Sequence, residues 1–424
     1  MRDNPVLTAA TQSAERVVPL FVFDDEILAT SHARPNRFGF LIESLADLDR
    51  SLRERGGGLV VRRGDWLTEI ARIVVATQPS AVHIGYDVSG FAQRRLARLE
   101  AECPCPVVAH DTVTVVAHET LKPYMMFTPY WRAWQRAPQR AVASPVRRIA
   151  LPDELAVGLL PPMPTGRAPA VPPGGETAGL HRLKQWAARG LAEYADQRDE
   201  VGLDATSRLS PYLHFGCLSP LEVATRLYGR DGGEEFVRQL CWRDFFHQFL
   251  AAHPETAHRD VRDRAPRWSD DSDALTAWRE GRTGFPLVDA GMRQLLREGW
   301  MHNRARMVVA SFLTKDLMID WRAGAAHFME HLVDGDIAVN QLNWQWVAGT
   351  GTDTNPHRVY NPTVQSRKFD RAGSYIRRYV AELTELDGDI HDPAPEDRAA
   401  SGYPDPIIDH KLAIERWRAA RSGA

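Results

Sequence analysis

Nine prolines fall between residues 138 and 173, among them the run PPMPTGRAPAVPPGG that begins at Pro161. Proline lacks a backbone N–H and fixes φ, so a stretch this dense sustains neither a helix nor a central strand. It divides the 424-residue chain and reads as a long connector between two parts of different character. The length suffices for two or three packed domains with their own cores.

Ahead of the connector, short β-branched runs alternate with helical periodicity. VVPLFVF (17–23), LVVRR (59–63), AVHIGY (81–86) and PVVAHDTVTVV (106–116) predict strands. Arg37–Glu54, Trp66–Thr77 and Phe91–Glu102 carry apolar residues at helical spacing between them. Such alternation implies a parallel sheet covered on both faces. No GxGxxG loop follows a strand, so a dinucleotide cradle is not signalled there. Behind the connector, ALTAWREG, LVDAGMRQLLREG and RMVVASFLTKDLMIDW are helical in period. The expected organisation is an α/β domain over 1–137, a linker over 138–175 and a larger helical domain over 176–424.

No apolar stretch approaches the ~18 residues of a membrane span, and no charged-then-apolar leader opens the chain, so a cytoplasmic protein is expected. Cys103, Cys105, Cys217 and Cys241 are too few and too badly spaced for a disulfide framework or a zinc site. The net charge of −3 argues against a generally basic coat, yet a local patch facing phosphates remains compatible with DNA binding. Only Lys122, Lys184, Lys315, Lys368 and Lys411 are lysines among 52 basic residues, a skew that GC-rich codon usage explains as well as phosphate recognition does. Tryptophan is more informative: eight of twelve lie beyond residue 200, in the helical half.

That half holds the dense motifs. Tyr194-Ala-Asp-Gln-Arg198-Asp is followed by Thr206-Ser207-Arg208-Leu209-Ser210, whose hydroxyls and amides suit a diphosphate, although Ser and Thr at a helix start more often serve as caps. Then come Gln239-Leu-Cys-Trp242-Arg243-Asp244, Gly299-Trp300-Met301-His302-Asn303-Arg304-Ala-Arg306-Met307, and Asp334-Gly335-Asp336-Ile-Ala-Val-Asn340 with Trp344 and Trp346 behind it. Each tryptophan alone is more often core filler than machinery. Two carboxylates around Gly335 suggest a turn or a metal site, and no ligand set completes a metal pattern around them, so none is expected.

Taken together, EYADQRD, TSRLSPYLHFG, CWRDFF, GWMHNRARM, ASFLTKDLMIDWR, DGDIAVN, NWQWVAGTGTD and NPTVQSRKFD resemble the photolyase and cryptochrome family, in that family's order and over nearly the whole chain. FTPYWRAW at 127–134 fits as well. The resemblance implies a Rossmann-like antenna-type domain followed by an all-α domain that holds non-covalent FAD. Tyr194, Thr206, Ser207, Leu209 and Ser210 would surround its phosphates and ribityl chain, with Arg208, Phe236 and Gly335 among the cofactor positions. Asp334 and Asp336 would contact the folded cofactor, Arg306 would pair with Asp334 beside the isoalloxazine, and Asn340 would face N5. Photolyases typically carry Asn at that place and plant cryptochromes Asp, which favours repair. Trp344, Trp321 and Trp268 match the electron-relay tryptophans. UV-damaged DNA is the implied partner, read by base flipping, a mode for which photolyases are a standing example. Trp242 and Trp346 match the aromatic walls, Asn303 and Met307 the pocket lining, and Arg198, Arg304 and Gln365 backbone or rim contacts, with Arg243 in the DNA-facing segment. The expected activity is light-driven splitting of cyclobutane pyrimidine dimers by a monomer without a protein partner.

Three departures qualify this. Gln239 stands where dimer-splitting relatives usually place Glu; it keeps a donor and an acceptor but cannot change protonation. A lowered repair yield or a six-four preference follows, while Asn303 after His302 argues against the animal six-four type. Ser89-Gly90 replaces the Asn-Glu of folate-binding relatives, leaving a deazaflavin, another flavin or no antenna pigment open. The chain opens at Met1-Arg2-Asp3-Asn4-Pro5-Val6-Leu7, where the family has a strand first, so a misassigned start or a truncation is expected and the sheet's first strand is in question. Blue-light signalling is the competing function, disfavoured by a chain that stops soon after its last helix.

Overall fold

The β-branched runs become four parallel strands in a computed structural model that describes residues 1–30, 32–153, 155–263 and 267–422. β1 (Leu20–Asp24) pairs with β2 (Val60–Gly64), Leu20 opposite Val60; β3 (Val82–Tyr86) pairs with β4 (Val107–Asp111), Val82 opposite Val107. Among the described residues these are two separate two-stranded sheets, not the single continuous sheet expected. Side chains join what hydrogen bonds do not. Leu20 of β1 packs with Val82 and Ile84 of β3 and Val107 of β4 around Ile70, Val74 and Leu99. Those three come from the helices Trp66–Thr77 and Gly90–Glu102, capped where Asp65 accepts from Thr68 N and Ser89 from Ala92 N.

Two strand predictions need correction. The run to Val116 stops pairing at Asp111 because carboxylates take the donors a ladder requires. Asp111 accepts from Thr114 N at 3.4 Å, and Asp244 Oδ2 accepts from Val115 N and Val116 N at 2.9 and 3.1 Å. The first strand begins at Leu20 instead of Val17, since Val17 N donates to Ala150 O at 2.8 Å and Pro19 has no N–H to give.

Among the described residues the proline-rich segment has no helix or strand up to Gly175, yet it is not a loose tether. Val146 and Ile149 are buried in the cluster that holds Leu7, Leu45, Leu52, Leu59 and Val61. Ile149 N donates to Arg55 O, and Val61 N on β2 donates to Val157 O at 2.6 Å. Arg167 pairs with Glu43 at 2.7 Å, and Glu43 also accepts from Gly174 N. The segment is a strap that covers the outer edge of β2 and completes a core.

By compactness the chain divides into two units that interleave in sequence. The first comprises Met1–Arg167, Pro172–Ala192 and Ser207–Glu255; the second comprises Ala168–Val171, Glu193–Thr206 and Thr256–Ala424. The helices Glu176–Arg189, Pro220–Leu227 and Gly233–Ala252 thus group with the strands instead of the later helices. The second unit is helical around one large apolar core that includes Trp278, Met292, Leu295, Phe312, Trp321, Phe328, Trp344 and Tyr375. Its helices start and stop on local signals: Pro286 and Pro362 open helices, Asp336 and Asn361 cap them, and Gly299 and Gly349 end them in the left-handed region. No described helix is long and apolar enough to cross a membrane.

Candidate functional site

In the second unit the DGDIAVN motif folds as a turn that enters the helix Ile337–Ala348. Asp334 receives both hydrogen bonds of a forked contact from Arg306 Nη2, at 3.1 and 2.9 Å, and its carboxylate is almost wholly buried. Arg306 Nε donates to Met301 O at 2.8 Å, so the guanidinium is fixed from two sides. Gly335 separates this carboxylate from Asp336, which accepts from Val339 N and caps the helix. One turn on, Asn340 is buried, and its Nδ2 donates to Ala325 O at 3.1 Å and to Gln341 Oε1 at 3.2 Å. Ala325 O can only accept, which fixes the amide's orientation and leaves Oδ1 as an acceptor with no protein donor among the described residues. That arrangement fits a flavin: a held cation and, in the same motif as its carboxylate partner Asp334, a neutral acceptor for a ring N–H.

Tyr194 and Thr206 also belong to the second unit, Tyr194 buried with Arg198 over its ring at 6.0 Å. Ser207, Arg208, Leu209, Ser210 and Phe236 belong to the first. There Arg208 adopts φ +53° and Leu209 follows in the right-handed region, a pairing that turns successive N–H groups the same way and suits an anion. Ser207 O accepts from Arg182 Nε at 2.8 Å, and Ser207 Oγ from Leu209 N at 3.3 Å. Ser210 opens the helix Ser210–His214, and no cap side chain takes its first amides. Phe236 packs against Trp186, ring centroids 4.6 Å apart. Within the first unit the donor set is the kind a diphosphate needs, and within the second the Arg306–Asp334 pair and Asn340 suit a flavin ring.

The three tryptophans expected to form a relay grade from core to surface. Trp344 and Trp321 are buried, and Trp268 is partly buried against the same core. Trp321 Nε1 donates to Asp260 at 2.8 Å, and Arg322 lies over its ring at 4.7 Å. Trp344 sits 5.0 Å from Phe328 and 6.0 Å from Trp278, centroid to centroid. Gly324 on the helix Trp321–His331 makes room for it: an added Cβ would lie 2.5 Å from Trp344 Cζ3 and closer still to Cη2.

Of the expected substrate residues, Gln239, Trp242 and Arg243 share the helix Gly233–Ala252 in the first unit. Gln239 is half-buried, and its amide makes no protein hydrogen bond among the described residues. Trp242 stacks on Phe127 at 3.6 Å with rings 5° from parallel. Arg243 is engaged inside the protein, donating to Val113 O. In the second unit Asn303 is exposed, and its Nδ2 lies 3.8 Å from Met307 Sδ. Trp346 has Arg358 over its ring at 4.9 Å. Gln365 Oε1 is buried with no protein partner among the described residues, an acceptor awaiting a donor. Arg304 pairs with Asp199 at 2.8 Å and lies over Phe369 at 4.4 Å, so its charge is already neutralised within the unit.

Two residues were missed. Asp244, read as part of a DNA-facing motif, is fully buried and also accepts from Trp134 Nε1 at 2.9 Å. It thereby ties the 115–116 backbone and the helix Phe127–Trp134 to its own helix. Burial pushes its carboxyl up to about 6, against the pull of Trp134, Arg243 and Val116. An acid among aromatics in CWRDFF was the available signal. Trp278 is the other: fully buried beside Trp344, it carries no motif that separates it from core filler.

Comparison with known proteins covers the whole chain. Residues 1–148 match the family described as DNA photolyase, and residues 236–422 the FAD binding domain of DNA photolyase. A deoxyribodipyrimidine photo-lyase from Streptomyces griseus is 47% identical over 99% of this chain and 96% of its own. The Escherichia coli enzyme of the same name is 36% identical over 100% and 97%. Among solved structures, a class III photolyase from Agrobacterium tumefaciens superposes with a TM-score of 0.91 at 33% identity, over 100% of this chain and 95% of that one. A Sulfolobus tokodaii photolyase solved with two FAD molecules gives 0.89 at 30%, over 100% and 97%. A Synechocystis cryptochrome gives 0.90 at 29%, over 99% and 96%.

Proposed function

Because the chain belongs to the DNA photolyase family, we propose that it is a deoxyribodipyrimidine photo-lyase, splitting cyclobutane pyrimidine dimers in DNA under light. The observation that carries this reading is Asn340. Its Nδ2 is tethered to Ala325 O while Oδ1 stays open, so a neutral acceptor stands where an Asp would add a negative charge. When bound, reduced FAD supplies the electron that opens the dimer and recovers it afterwards. Arg306 holds a cation for the cofactor's negative charge, and Asp334 keeps the guanidinium in place without releasing it to solvent. The 207–210 backbone holds the diphosphate. Trp344, Trp321 and Trp268 carry an electron inward when the cofactor must be reduced.

For the lesion, Trp242 offers a flat wall already braced by Phe127, and Gln239 and Gln365 offer amide groups that the protein leaves unused or unsatisfied. Within the second unit, Asn303, Met307 and Trp346 are the residues that would contact the lesion, with Arg198 at the rim. A cross-linked pyrimidine pair stacks poorly, so its extrusion costs less than that of normal bases. We assign the antenna-type role to residues 1–137 and FAD binding to residues within 176–424, even though the helices Glu176–Arg189, Pro220–Leu227 and Gly233–Ala252 pack with the strands. The S. tokodaii likeness supports a second, flavin-type pigment, and Ser89, spent on a helix cap, offers no grip for folate. The protein works as a monomer in the cytoplasm, whose reducing conditions suit its four free thiols.

The Synechocystis likeness supports signalling as the second reading, and Gln239 supports six-four lesions. Illuminating the reduced holoprotein with defined cyclobutane and six-four oligonucleotides separates the three. Cyclobutane repair that rises in Gln239→Glu is the expected result. Normal flavin binding with repair of neither lesion would overturn the enzyme reading.

A further inference from the structure

The helix Trp321–His331 carries an array that none of this uses. His327, Glu330 and His331 follow the spacing i, i+3, i+4, which brings three side chains to one helix face. Their donor atoms all lie within 4.8 Å of one another, and the two imidazole rings are 4.7 Å apart. His327 is 5% exposed, and its Nε2 has no hydrogen-bond partner among the described residues. A buried ring nitrogen without a partner is costly, and a metal ion is one way to satisfy it.

We propose that His327, Glu330 and His331 form a binding site for a divalent transition metal of the zinc class. Two imidazoles four apart on a helix are a recognised zinc-gripping arrangement, and a carboxylate completes a two-histidine, one-carboxylate set with a position left for water. Arg279 is a cation facing His327. Glu330 and His331 are partly exposed and give the ion a way in, while His327 anchors it from beneath against Trp278, ring centroids 5.5 Å apart. The site is independent of the photochemistry proposed above, because it uses none of the residues assigned to flavin or lesion.

The test uses the full chain with its flavin, stripped by a chelator and titrated with Zn²⁺ in a calorimeter. Co²⁺ is followed in parallel by its visible absorption. One equivalent of Zn²⁺ should bind, and Co²⁺ should show a tetrahedral or five-coordinate spectrum. His331→Ala should lose at least the ~10–100-fold that disturbing even an outer-shell partner of a metal ligand costs, and Glu330→Gln should weaken binding less. Both positions are partly exposed, so these variants fold even if His327→Ala does not. Absence of stoichiometric binding to wild type would overturn the proposal. So would affinity that survives His331→Ala but disappears in Cys103→Ser/Cys105→Ser, whose sulfurs lie 3.5 Å apart and form the rival site.

Discussion

Gly324→Ala sets two known effects against each other at one atom. Replacing a mid-helix glycine by alanine gains up to ~1 kcal/mol in helix propensity and unfolded-state entropy. Here the new methyl would lie 2.5 Å from Trp344 Cζ3 and 2.6 Å from Leu313 Cδ2. Ordinary carbon contacts are ~3.5–4 Å, so the indole would have to retreat by roughly an ångström. Phe328 and Trp278 flank that indole, both buried, and leave it nowhere to go. Overpacking of this kind costs ~1–3 kcal/mol, and a rigid ring in a full core belongs at the upper end. The net expectation is a loss of ~1–2 kcal/mol, overpacking outweighing propensity. Gly90→Ala is the control, since a methyl there meets nothing nearer than 3.4 Å and should be neutral or mildly stabilising. Thermal unfolding followed by tryptophan fluorescence and by flavin release reads both variants. A Gly324→Ala protein that melts at or above wild type would show that Trp344 is free to move, and the reasoning from steric contact would fail.

Asp244 makes a prediction in pH. Its folded value near 6 lies above the ordinary 3.8, so its contribution to stability is complete below about 3.8 and is lost as pH rises through about 6. The change amounts to ~3 kcal/mol. Asp244→Asn keeps an acceptor for Val115, Val116 and Trp134 but buries an amide donor where Oδ1 has no partner, a cost of ~1–3 kcal/mol. The deficit relative to wild type should therefore be largest below about pH 4 and narrow as pH rises past about 6; denaturation midpoints showing a pH-independent deficit would refute it. Trp321→Phe removes the indole that donates to Asp260, which Arg322 continues to hold at 2.9 Å. Light-driven reduction of the bound cofactor should fall to near background, while dimer repair by chemically reduced protein stays close to wild type. Equal loss of both would make Trp321 a structural residue.

Legibility followed the range of the interactions involved. The helix Trp66–Thr77 was readable to the residue because its signals are local: an Asp65 cap and apolar spacing. TVTVV misled because its β-branched residues favour a strand, while the carboxylate that claims its amides, Asp244, lies 128–129 residues away in sequence. The strap was recognisable as irregular, but its burial depends on Arg55, Val61 and Glu43, which no local pattern connects to it. The residues expected at the flavin were legible as motifs because several constraints fall within short segments, as where Asp334 pairs and Asp336 caps two residues on. The state of each side chain was not. That Arg304 is spent on Asp199, or that Asn340 keeps one oxygen open, is decided by partners brought near by folding.

Val157 reaches the ribosome's exit long after Val61, the strand residue whose amide it accepts. At ~5–20 residues per second the wait is ~5–20 s. Throughout that interval the rim of β2 is an open template for any neighbouring nascent chain. Synthesis of this protein thus has a vulnerable window that closes only when the proline segment arrives, and slowed translation between those two points should raise the yield of aggregates without altering the finished molecule.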